Sequence, residues 1–439
     1  MQIQWHVPLI ACDNPKSEIQ NPKSKRGFTM STTPRPRVLM LTHRMPYPPD
    51  RGDRIRSYHL LKKICQHADV SLASMTEEAV TDEQLAVLSS LTTDLAIEPV
   101  RPLASKFRAL GALLTREAIT PAVFYEKRMA DTIKQWHTTN PFDAVLTFCS
   151  GMVRYARLVD GARQIMDLVD VDSVKWDSYA VNAMPPRRWL YQHEATYLRR
   201  VEAGVYDQFD AMTVVSEREY KTYQHHVGAN PGLKVVGNGV DLDFFAPLPD
   251  AHGSKKILFV GVLNYRPNVD AVKWFAQNVM PVLREKCADA TFEIVGRHPT
   301  QEVTELGNLP GVNVIGPVDD VRKHMADAGV VVAPLRIARG VQNKVLEAMA
   351  SQRVVICSPQ AAEGVEAMDG SHYLIGHGPD QWARHIEWIL NDEQRRTQMA
   401  SAARQWVQQQ YTWDVRLEPM LDLLLGKAVG GASVTRHAA

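Results

Sequence analysis

Two separate series of short, β-branched strand patterns constrain the fold of this chain more than any other feature. The first series begins with V-L-M-L-T at residues 38–42, and a second begins afresh with K-I-L-F-V-G at residues 256–261. Within each series such runs alternate with longer amphipathic stretches, which is typical of parallel β-sheets covered by helices. The 439-residue length also exceeds what one hydrophobic core usually serves. The sequence therefore predicts two α/β domains.

Each series contains five predicted strands, with helices between and after them. The first series comprises residues 38–42, 69–74, 144–148, 164–169 and 211–216. The second comprises residues 256–261, 291–296, 312–316, 330–335 and 354–358. Helices are predicted over residues 54–67, 187–209 and 381–425. Two facing, doubly wound sheets of this kind predict a ligand cleft at the carboxyl ends of their strands.

The Pro- and Asp-containing stretch at residues 244–254 separates the two series and is the predicted linker. The predicted organisation is a disordered tail or misassigned start (1–34), an N-terminal Rossmann-like domain (35–248), a C-terminal Rossmann-like domain with terminal helices packing back (249–425) and a flexible tail (426–439).

Composition argues against several classes of partner. The formal net charge of +1 gives no overall attraction to nucleic acid, so any polyanion site is expected to be local. No apolar run approaches the roughly 20 residues of a membrane-spanning helix. The five cysteines are widely spaced without a CxxC pair, which favours small core residues in a reducing compartment. We therefore expect a cytoplasmic protein that contacts a membrane peripherally at most.

The loop predicted after the first strand, residues 43–57, suits a bound diphosphate. Gly52 would allow a close backbone approach. Arg51, Arg54 and Arg56 surround the start of the next helix, whose amides attract anions. A surface turn with solvated arginines is the alternative.

Two aspartates, Asp170 and Asp172, follow the strand predicted at residues 164–169. If the strand continues, both would project to the same side, where they could accept hydroxyl hydrogen bonds or act as a base. The alternative is that Asp172 and Ser173 simply cap the next helix.

The loop at residues 261–271 begins with Gly261, and Asn268 is its predicted helix cap. Arg266 lies just before that cap, where a phosphate would be held. Neither GxGxxG nor GxxxxGK[ST] occurs in the chain, so hydride-transfer cofactors and ATP-driven chemistry lack their usual sequence support.

The most informative stretch is I-A-R-G-V-Q-N-K-V-L-E-A-M-A-S at residues 337–351. Its apolar residues predict a buried helix, whose mouth is formed by Arg339, Gly340 and Val341 and whose free amides would face a phosphate. Lys344 and Glu347 share the remaining face. A salt bridge between these two is the alternative to ligand binding, but a buried acid is costly unless something binds it.

Glu347 in V-L-E-A-M-A-S, the mouth before it and N-G-V-D at residues 238–241 together resemble the retaining family-four glycosyltransferases of GT-B fold, over about residues 37–415. R-V-L-M-L-T-H-R-M-P-Y-P-P-D-R-G-D, D-L-V-D-V-D-S-V-K-W and N-Y-R-P-N-V-D-A-V-K-W-F more narrowly resemble the sugar transferases of bacterial exosortase/PEP-CTERM exopolysaccharide loci. Each motif is weak alone, and the ordered set is specific.

This resemblance implies a nucleoside-diphosphate sugar as substrate, bound by the C-terminal domain (249–425). It also implies a glycan or lipid-linked acceptor on the side of the N-terminal domain (35–248), no cofactor and no metal. Glu347 would accept hydrogen bonds from ribose hydroxyls, while Arg266 and Lys344 would neutralise the departing diphosphate. Gly52 would close over that diphosphate, and Asp170 or Asp172 would orient the acceptor or the sugar. The transfer would retain the anomeric configuration.

The sequence departs from the family at two points. Arg339 stands where the family usually has a second acid, eight residues before Glu347. The histidine often found near the acceptor has no secure match, and Asp170 and Asp172 lie closest to it. A nucleotide-sugar epimerase using these aspartates with Glu363 is one alternative function, and a non-catalytic nucleotide-sugar-binding subunit is another.

Residues 103–117 mix apolar side chains with Lys106, Arg108 and Arg116. Such a helix could lie on the anionic inner face of the cell membrane, where a lipid-linked acceptor would reside. Ordinary packing of an amphipathic helix is the alternative.

Overall fold

The computed structural model describes residues 35–181, 183–204, 208–249, 251–337 and 341–426. The described residues form two compact units. The first is drawn from Met1–Thr213, His226–Leu233 and Leu421–Ala439, and the second from Val214–His225 and Lys234–Met420.

The first unit is built around a seven-stranded sheet of order β3-β2-β1-β4-β5-β6-β7. Its strands are β1 Arg37–Thr42, β2 Asp69–Thr76, β3 Asp94–Pro99, β4 Ala144–Phe148, β5 Arg163–Val169, β6 Ala211–Val214 and β7 Leu233–Val235. The pairs β1–β2, β1–β4, β2–β3 and β4–β5 are parallel. The central strands β1 and β4 are buried almost throughout, as expected for a parallel sheet that has helices packed on both faces.

Helices connect these strands. They are α1 Gly52–Cys65, α2 Asp82–Leu91, α3 Pro102–Thr115, α4 Ile119–Val123, α5 Lys127–Thr139, α6 Val153–Ala156, α7 Asp172–Val181, α8 Arg187–Gly204 and α9 Glu217–His226. No helix in the described part of the chain is both long and apolar enough to cross a membrane.

The second unit contains a six-stranded sheet of order β10-β9-β8-β11-β12-β13. Its strands are β8 Lys256–Val260, β9 Thr291–Val295, β10 Val312–Gly316, β11 Val330–Ala333, β12 Val355–Cys357 and β13 Leu374–Ile375. The helices are α10 Arg266–Trp274, α11 Met280–Lys286, α12 Gln301–Thr304, α13 Val321–Ala326, α14 Asn343–Ala350, α15 Pro359–Ala362, α16 Pro379–Asn391, α17 Glu393–Gln410 and α18 Trp413–Leu425. The residues of α18 from Leu421 onward belong to the first unit.

All ten predicted strands are present, with boundaries shifted by one or two residues at most. Three further strands were not predicted. The edge strand β3 is half-exposed and carries acids and a proline, while β7 and β13 have only three and two residues. None of the three has the continuous apolar run that identifies a buried strand. The region predicted to be helical over 381–425 consists of three helices, with breaks near Asp392 and Tyr411.

A buried ion pair fixes α1 against the first sheet. The Arg56 guanidinium donates to the two Asp167 carboxylate oxygens at 2.8 and 3.2 Å, and the Thr213 hydroxyl donates to one of them at 2.9 Å. Arg56 and Asp167 are almost completely inaccessible to solvent. The cost of desolvating the carboxylate is therefore met by several charge-assisted hydrogen bonds.

We predict that Arg56→Leu lowers the free energy of unfolding of the first unit by about 3–5 kcal/mol, because Asp167 is left charged and buried. Adding Asp167→Leu should recover about half of that loss or more. Urea unfolding measures both effects. Arg101→Leu, at an exposed arginine, is the control and should change stability by less than about 0.5 kcal/mol. A loss below about 1 kcal/mol for Arg56→Leu would contradict the assignment.

Candidate functional site

Two glycines bring backbone and side chains together at the carboxyl edge of the second sheet. A Cβ atom on Gly296, after β9, would overlap the carbonyl oxygen of Gly261, after β8. A Cβ on Gly261 would lie 2.8 Å from Asn268 Nδ2 and 3.0 Å from Lys344 Nζ. Larger residues would therefore force apart the loop after β8 and the side chains from α10 and α14.

The Lys344 side chain is held in place by two neighbours. Its ammonium donates to Asn268 Oδ1 at 2.7 Å and lies 4.3 Å from the centroid of the Phe259 ring. Asn268 is fixed in turn, because its Nδ2 donates to the Val262 carbonyl at 3.0 Å. Burial lowers the pKa of Lys344 to about 7, although the nearby Glu347 carboxylate acts in the opposite direction. This lysine would gain from an anionic ligand.

Glu347 lies one helical turn after Lys344. Burial raises the pKa of its carboxyl to about 7, and the Lys344 charge only partly offsets this. No described residue donates a hydrogen bond to the carboxylate or forms an ion pair with it. The alternative Lys344–Glu347 salt bridge is therefore not formed, and Lys344 is turned to Asn268 instead. A partly buried carboxylate without donors can accept hydrogen bonds from the hydroxyls of a ligand.

The mouth of α14 presents open backbone donors. The helix begins at Asn343 after the N-cap Gln342, and no side chain caps it. The Val345 amide already donates to the Gln342 carbonyl at 2.9 Å. The amides of Asn343 and Lys344 have no acceptor among the described residues, and they carry the positive end of the helix dipole. Val341 packs its side chain against the core. Two predicted mouth residues, Arg339 and Gly340, lie outside the described residues.

Arg266 is the first residue of α10, and Tyr265 is its N-cap. The prediction that Asn268 caps this helix is wrong, because Pro267 at the second position lets the helix begin three residues earlier. Arg266 is exposed and lines a cavity of about 560 Å³ on the flank of α10. It forms no ion pair or side-chain hydrogen bond with any described residue, so its charge is available to an anion.

The predicted anion loop of the first unit is largely neutralised by its own acids. Arg51 donates to Asp53 at 2.8 Å, and Arg54 donates to Glu78 at 2.8 Å. Arg56 is in the core, paired with Asp167, and cannot reach a ligand. The prediction that these arginines surround an anion is therefore wrong for Arg56, and the charges of the other two are already offset.

Gly52 is the exposed first residue of α1. A Cβ atom there would meet no heavy atom within 4 Å. The protein's own packing therefore does not require glycine at this position. Its expected contact with a diphosphate stays a prediction.

Asp170 and Asp172 do not project together from an extended strand as predicted. The strand β5 ends at Val169, whose φ of 69° turns the chain away from β geometry. Asp170 is exposed, whereas Asp172 begins α7 and accepts a hydrogen bond from the Ser150 hydroxyl at 2.7 Å. Burial raises the pKa of Asp172.

Capping of α7 also differs from the alternative proposed for Asp172 and Ser173. The Glu202 carboxylate, from α8, accepts the Ser173 amide at 3.0 Å and also the Ser173 hydroxyl. The free backbone amide of Ser173 at the start of α7 is therefore capped by an acid from α8. Asp172 is left to interact with Ser150 and with any ligand of this edge.

His43 is a candidate residue for which sequence reasoning found no role. It follows β1, is 9% exposed and stacks on the Phe148 ring at 6.0 Å between centroids. Its Nε2 lies 3.6 Å from the Asp53 carboxylate, and its Nδ1 is buried without a hydrogen-bond partner among the described residues. Burial lowers the pKa of His43 to about 3, so the ring is neutral. The available signal was a histidine directly after a predicted strand of a doubly wound sheet.

We predict that Glu347→Gln stabilises the protein at alkaline pH. The folded-state pKa of about 7 lies above the ordinary value of 4.5, so ionised Glu347 destabilises the fold above pH 7. Below about pH 4.5 the carboxyl is neutral in both states, and the difference should vanish. Urea unfolding should show a gain of about 1–3 kcal/mol at pH 8 that shrinks toward pH 5.

Glu285→Gln is the matched control, because Glu285 is an exposed acid of the same unit. It should change stability little at either pH. Equal effects of the two substitutions at pH 8, or a loss of stability in Glu347→Gln, would contradict the unpartnered state of Glu347.

Part of the second unit matches a known protein family. Residues 254–392, which contain Asn268, Lys344 and Glu347, match the family model "Glycosyl transferases group 1". The chain is 27% identical over 252 residues to the GDP-mannose-dependent alpha-(1-6)-phosphatidylinositol monomannoside mannosyltransferase of Mycobacterium tuberculosis, covering 52% of this chain. The same-named protein of Mycolicibacterium smegmatis is 26% identical over 290 residues, which are 61% of this chain and 71% of that protein. The chain spans 64% of the length of the M. tuberculosis relative.

Solved structures resemble the chain over most of its length. Anabaena Alr3699/HepE in complex with UDP has a TM-score of 0.56 at 13% identity, covering 89% of this chain and all of that one. Sucrose-phosphate synthase from Thermosynechococcus elongatus has a TM-score of 0.60 at 15% identity, covering 89% and 99%. WaaG, a glycosyltransferase involved in lipopolysaccharide biosynthesis, has a TM-score of 0.54 at 15% identity, covering 90% and 100%.

At these identities the structural likeness concerns the fold. The narrower resemblance to exosortase-associated transferases stays a prediction. The chain has the α/β GT-B fold that its sequence predicts, with two Rossmann-like parallel-sheet domains, and its second unit carries the stretch that matches group 1 glycosyl transferases.

Proposed function

We propose that the protein is a hexosyltransferase that moves a sugar from a nucleoside-diphosphate sugar to a glycan or lipid-linked acceptor. One observation carries the proposal: the Lys344 ammonium is held by Asn268 beside open helix amides, while the Glu347 carboxylate one turn away has no partner among the described residues. A diphosphate and the hydroxyls of a ribose are the complementary groups. The relatives named for GDP-mannose and the solved neighbour bound to UDP favour a GDP- or UDP-linked hexose.

Each donor-site residue then has a definite task. Glu347 accepts hydrogen bonds from the ribose hydroxyls, and Lys344 with the α14 amides neutralises the diphosphate. Arg266 adds a second cation, and Arg339, Gly340 and Val341 complete the phosphate-binding mouth. These fixed positive groups replace a metal ion as the source of leaving-group stabilisation.

In the proposed reaction the bond between the sugar C1 and the phosphate oxygen breaks, and its electron pair leaves on the phosphate. An acceptor hydroxyl attacks C1 from the same face, so the configuration is retained. Its proton passes to the departing phosphate oxygen. The transition state resembles an oxocarbenium ion, and no enzymic nucleophile is needed.

Asp170, Asp172 and the neutral His43 orient the acceptor, which binds to the first unit. The product is a cell-envelope glycan or exopolysaccharide made at the cytoplasmic side of the membrane.

Two other functions make different predictions. An epimerase would convert a nucleotide sugar without any acceptor, whereas a transferase would only hydrolyse it slowly. Glu363, the third residue of the possible epimerase set, is exposed at the end of α15 in the second unit. A non-catalytic subunit would bind the nucleotide sugar and neither convert nor transfer it. Incubating the purified protein with UDP-glucose or GDP-mannose, with and without membrane lipid extract, separates all three.

We predict that affinity for an uncleaved nucleotide sugar peaks near pH 7. Lys344 loses its charge as pH rises through about 7, which weakens diphosphate binding, and Glu347 loses its charge as pH falls through about 7, which weakens ribose binding. Calorimetry between pH 5.5 and 8.5 should show each limb approaching about tenfold per pH unit.

One variant that keeps the charge and one that removes it show which residue causes each limb of the pH profile of affinity. Lys344→Arg should remove the alkaline limb, because arginine stays charged. Glu347→Gln should remove the acidic limb at a lower peak affinity, and Glu285→Gln should keep both. A pH profile that is flat in the unsubstituted protein, or unchanged in both site variants, would contradict these roles.

The exposed face of α3 suits an anionic membrane. Leu103, Phe107, Leu110 and Leu114 are 53–77% exposed and share one helical stripe. Lys106 and Arg116 flank it and are exposed, while no acid occurs within the helix. We propose that this stripe, with its flanking cations, docks the enzyme on the membrane that holds its acceptor.

Arg108, the third basic residue of the predicted set, has another task. Its guanidinium donates to the Ala122 and Val123 carbonyls at 3.1 Å and to Glu126 at 2.7 Å. It therefore fixes α3 to α4 and does not take part in the membrane proposal.

We predict that Phe107→Asp combined with Leu114→Asp abolishes co-sedimentation with liposomes containing phosphatidylglycerol. Replacing Lys106 and Arg116 with alanine should weaken it by about 1 kcal/mol per charge, most clearly at low salt. Leu85→Asp, on the exposed face of α2, is the control and should bind as the unsubstituted protein does. Unchanged binding of the Phe107 and Leu114 variant would refute the docking surface.

A further inference from the structure

A cavity of about 880 Å³ lies where α7 and α8 meet in the first unit. It is not used by the donor site, which belongs to the second unit. Its wall is mostly apolar and is formed by Trp176, Tyr179, Met184, Pro185 and Tyr191, with Arg187 at the rim. This volume is within the range that accepts a whole small-molecule ligand.

Aromatic packing gives the cavity a defined wall. Trp176 contacts Tyr191 and Tyr179, with ring centroids 5.4 and 5.8 Å apart. The Ser178 hydroxyl, which also lines the cavity, already donates to the Lys175 carbonyl at 2.7 Å. The wall therefore offers large apolar faces. Its hydrogen-bonding groups are the Tyr179 and Tyr191 hydroxyls, which have no partner among the described residues, and Arg187 at the rim. A hydrocarbon chain suits such a surface better than a sugar, whose many hydroxyls would lose their hydrogen bonds to water.

Two apolar side chains at the rim of the cavity are exposed. Met184 is 79% and Tyr179 is 47% exposed. An unbranched, flexible methionine beside an open cavity adapts readily to a chain entering it.

The charges at the rim select an anionic headgroup. Arg187 and Arg188 occupy the first two positions of α8, which has no acid in its first turn. Neither guanidinium has a hydrogen bond or an ion pair to a described residue. Two cations at the positive end of an 18-residue helix are mutually unfavourable until an anion joins them.

The cavity also adjoins the proposed acceptor residues. Trp176 follows Asp172 by one turn on the same face of α7, a rise of about 6 Å. Lys175 lies between them in sequence, and its charge acts on the Asp172 carboxyl. A ligand with its chain in the cavity could therefore place its polar end toward Asp172.

We propose that this cavity binds the hydrocarbon chain of a lipid phosphate acceptor, with Arg187 pairing with the phosphate. The inference rests on the proposed transferase function and names the chemical class of its acceptor. The chain buries its apolar surface against Trp176 and Tyr191, and the hydroxyl that receives the sugar lies toward Asp172.

The test uses decyl phosphate, below its micellar concentration, and ethyl phosphate as a probe with the same headgroup. Calorimetry on the full-length protein should show decyl phosphate binding at least about tenfold more tightly, because each buried methylene adds affinity. Ala183→Trp, which fills the cavity, should lower decyl phosphate affinity about tenfold and leave ethyl phosphate unchanged. Ala86→Trp, at an exposed alanine of α2, is the matched control and should have no effect.

Met184→Glu covers the case in which Ala183→Trp disturbs folding, because its exposed side chain can change without repacking. It should also weaken decyl phosphate binding, and Arg187→Ala should weaken both probes. Equal affinities for the two probes, or binding that Ala183→Trp and Met184→Glu leave unchanged, would overturn the inference. Nucleotide-sugar binding, measured on the same samples, separates the outcomes. If the protein binds the nucleotide sugar but fails the test with the two phosphates, only the proposal for the cavity is refuted. If it binds no nucleotide sugar, the proposed function is refuted.

Discussion

The hydrogen bond from Lys344 to Asn268 is the interaction on which the arrangement of charges around α14 depends. It turns the ammonium away from Glu347 and toward the loop that follows β8, where Gly261 leaves it room. The carboxylate one turn later is thereby left without a partner in the part of the chain that the structure describes. Had the lysine paired with Glu347 instead, both charges would be satisfied internally, and the helix would have little to offer a ligand. The geometry keeps a cation and an anion close together but separately available.

The two units treat buried acids in opposite ways. Asp167 receives hydrogen bonds from Arg56 and Thr213 and thereby joins α1 to its sheet. Glu347 receives none from the described residues, and its ionisation is disfavoured. A protein stabilised only for folding would not retain such an acid, since replacing it should increase stability. A residue that lowers the stability of the fold is expected where its side chain must bind a ligand.

Much of the fold could be predicted because parallel strands buried on both faces leave continuous apolar runs in the sequence. The strands that escaped prediction, such as β3 and β13, lie at sheet edges and are short or half-exposed. The helix that carries Lys344 and Glu347 could also be predicted from its spacing. What the spacing does not contain is the rotamer of Lys344, which depends on Asn268, 76 residues away.

The first unit shows the same limit of sequence reasoning. Arginines near a helix start resemble an anion site, yet Arg56 serves the core and Arg54 is paired with acids. The turn at Val169 separates Asp170 from Asp172, and a backbone turn of this kind has no signature in a β-branched sequence. The position of His43 directly after a predicted strand was visible in the sequence, but its contact with Phe148 exists only because the strand order brings β1 beside β4. Long-range pairings of this type are decided by tertiary structure and not by local pattern.

Amide hydrogen exchange with and without a nucleotide sugar tests the central claim most directly, because it reports where the ligand binds. With UDP-glucose or GDP-mannose at saturation, we expect slower exchange in two segments of the second unit, residues 341–347 and 261–268, and the Glu347→Gln variant should need a higher ligand concentration to reach the same protection. Protection confined to other parts of the chain, or saturable binding with no change in these two segments, would contradict the proposal that Lys344 and Glu347 form the donor site.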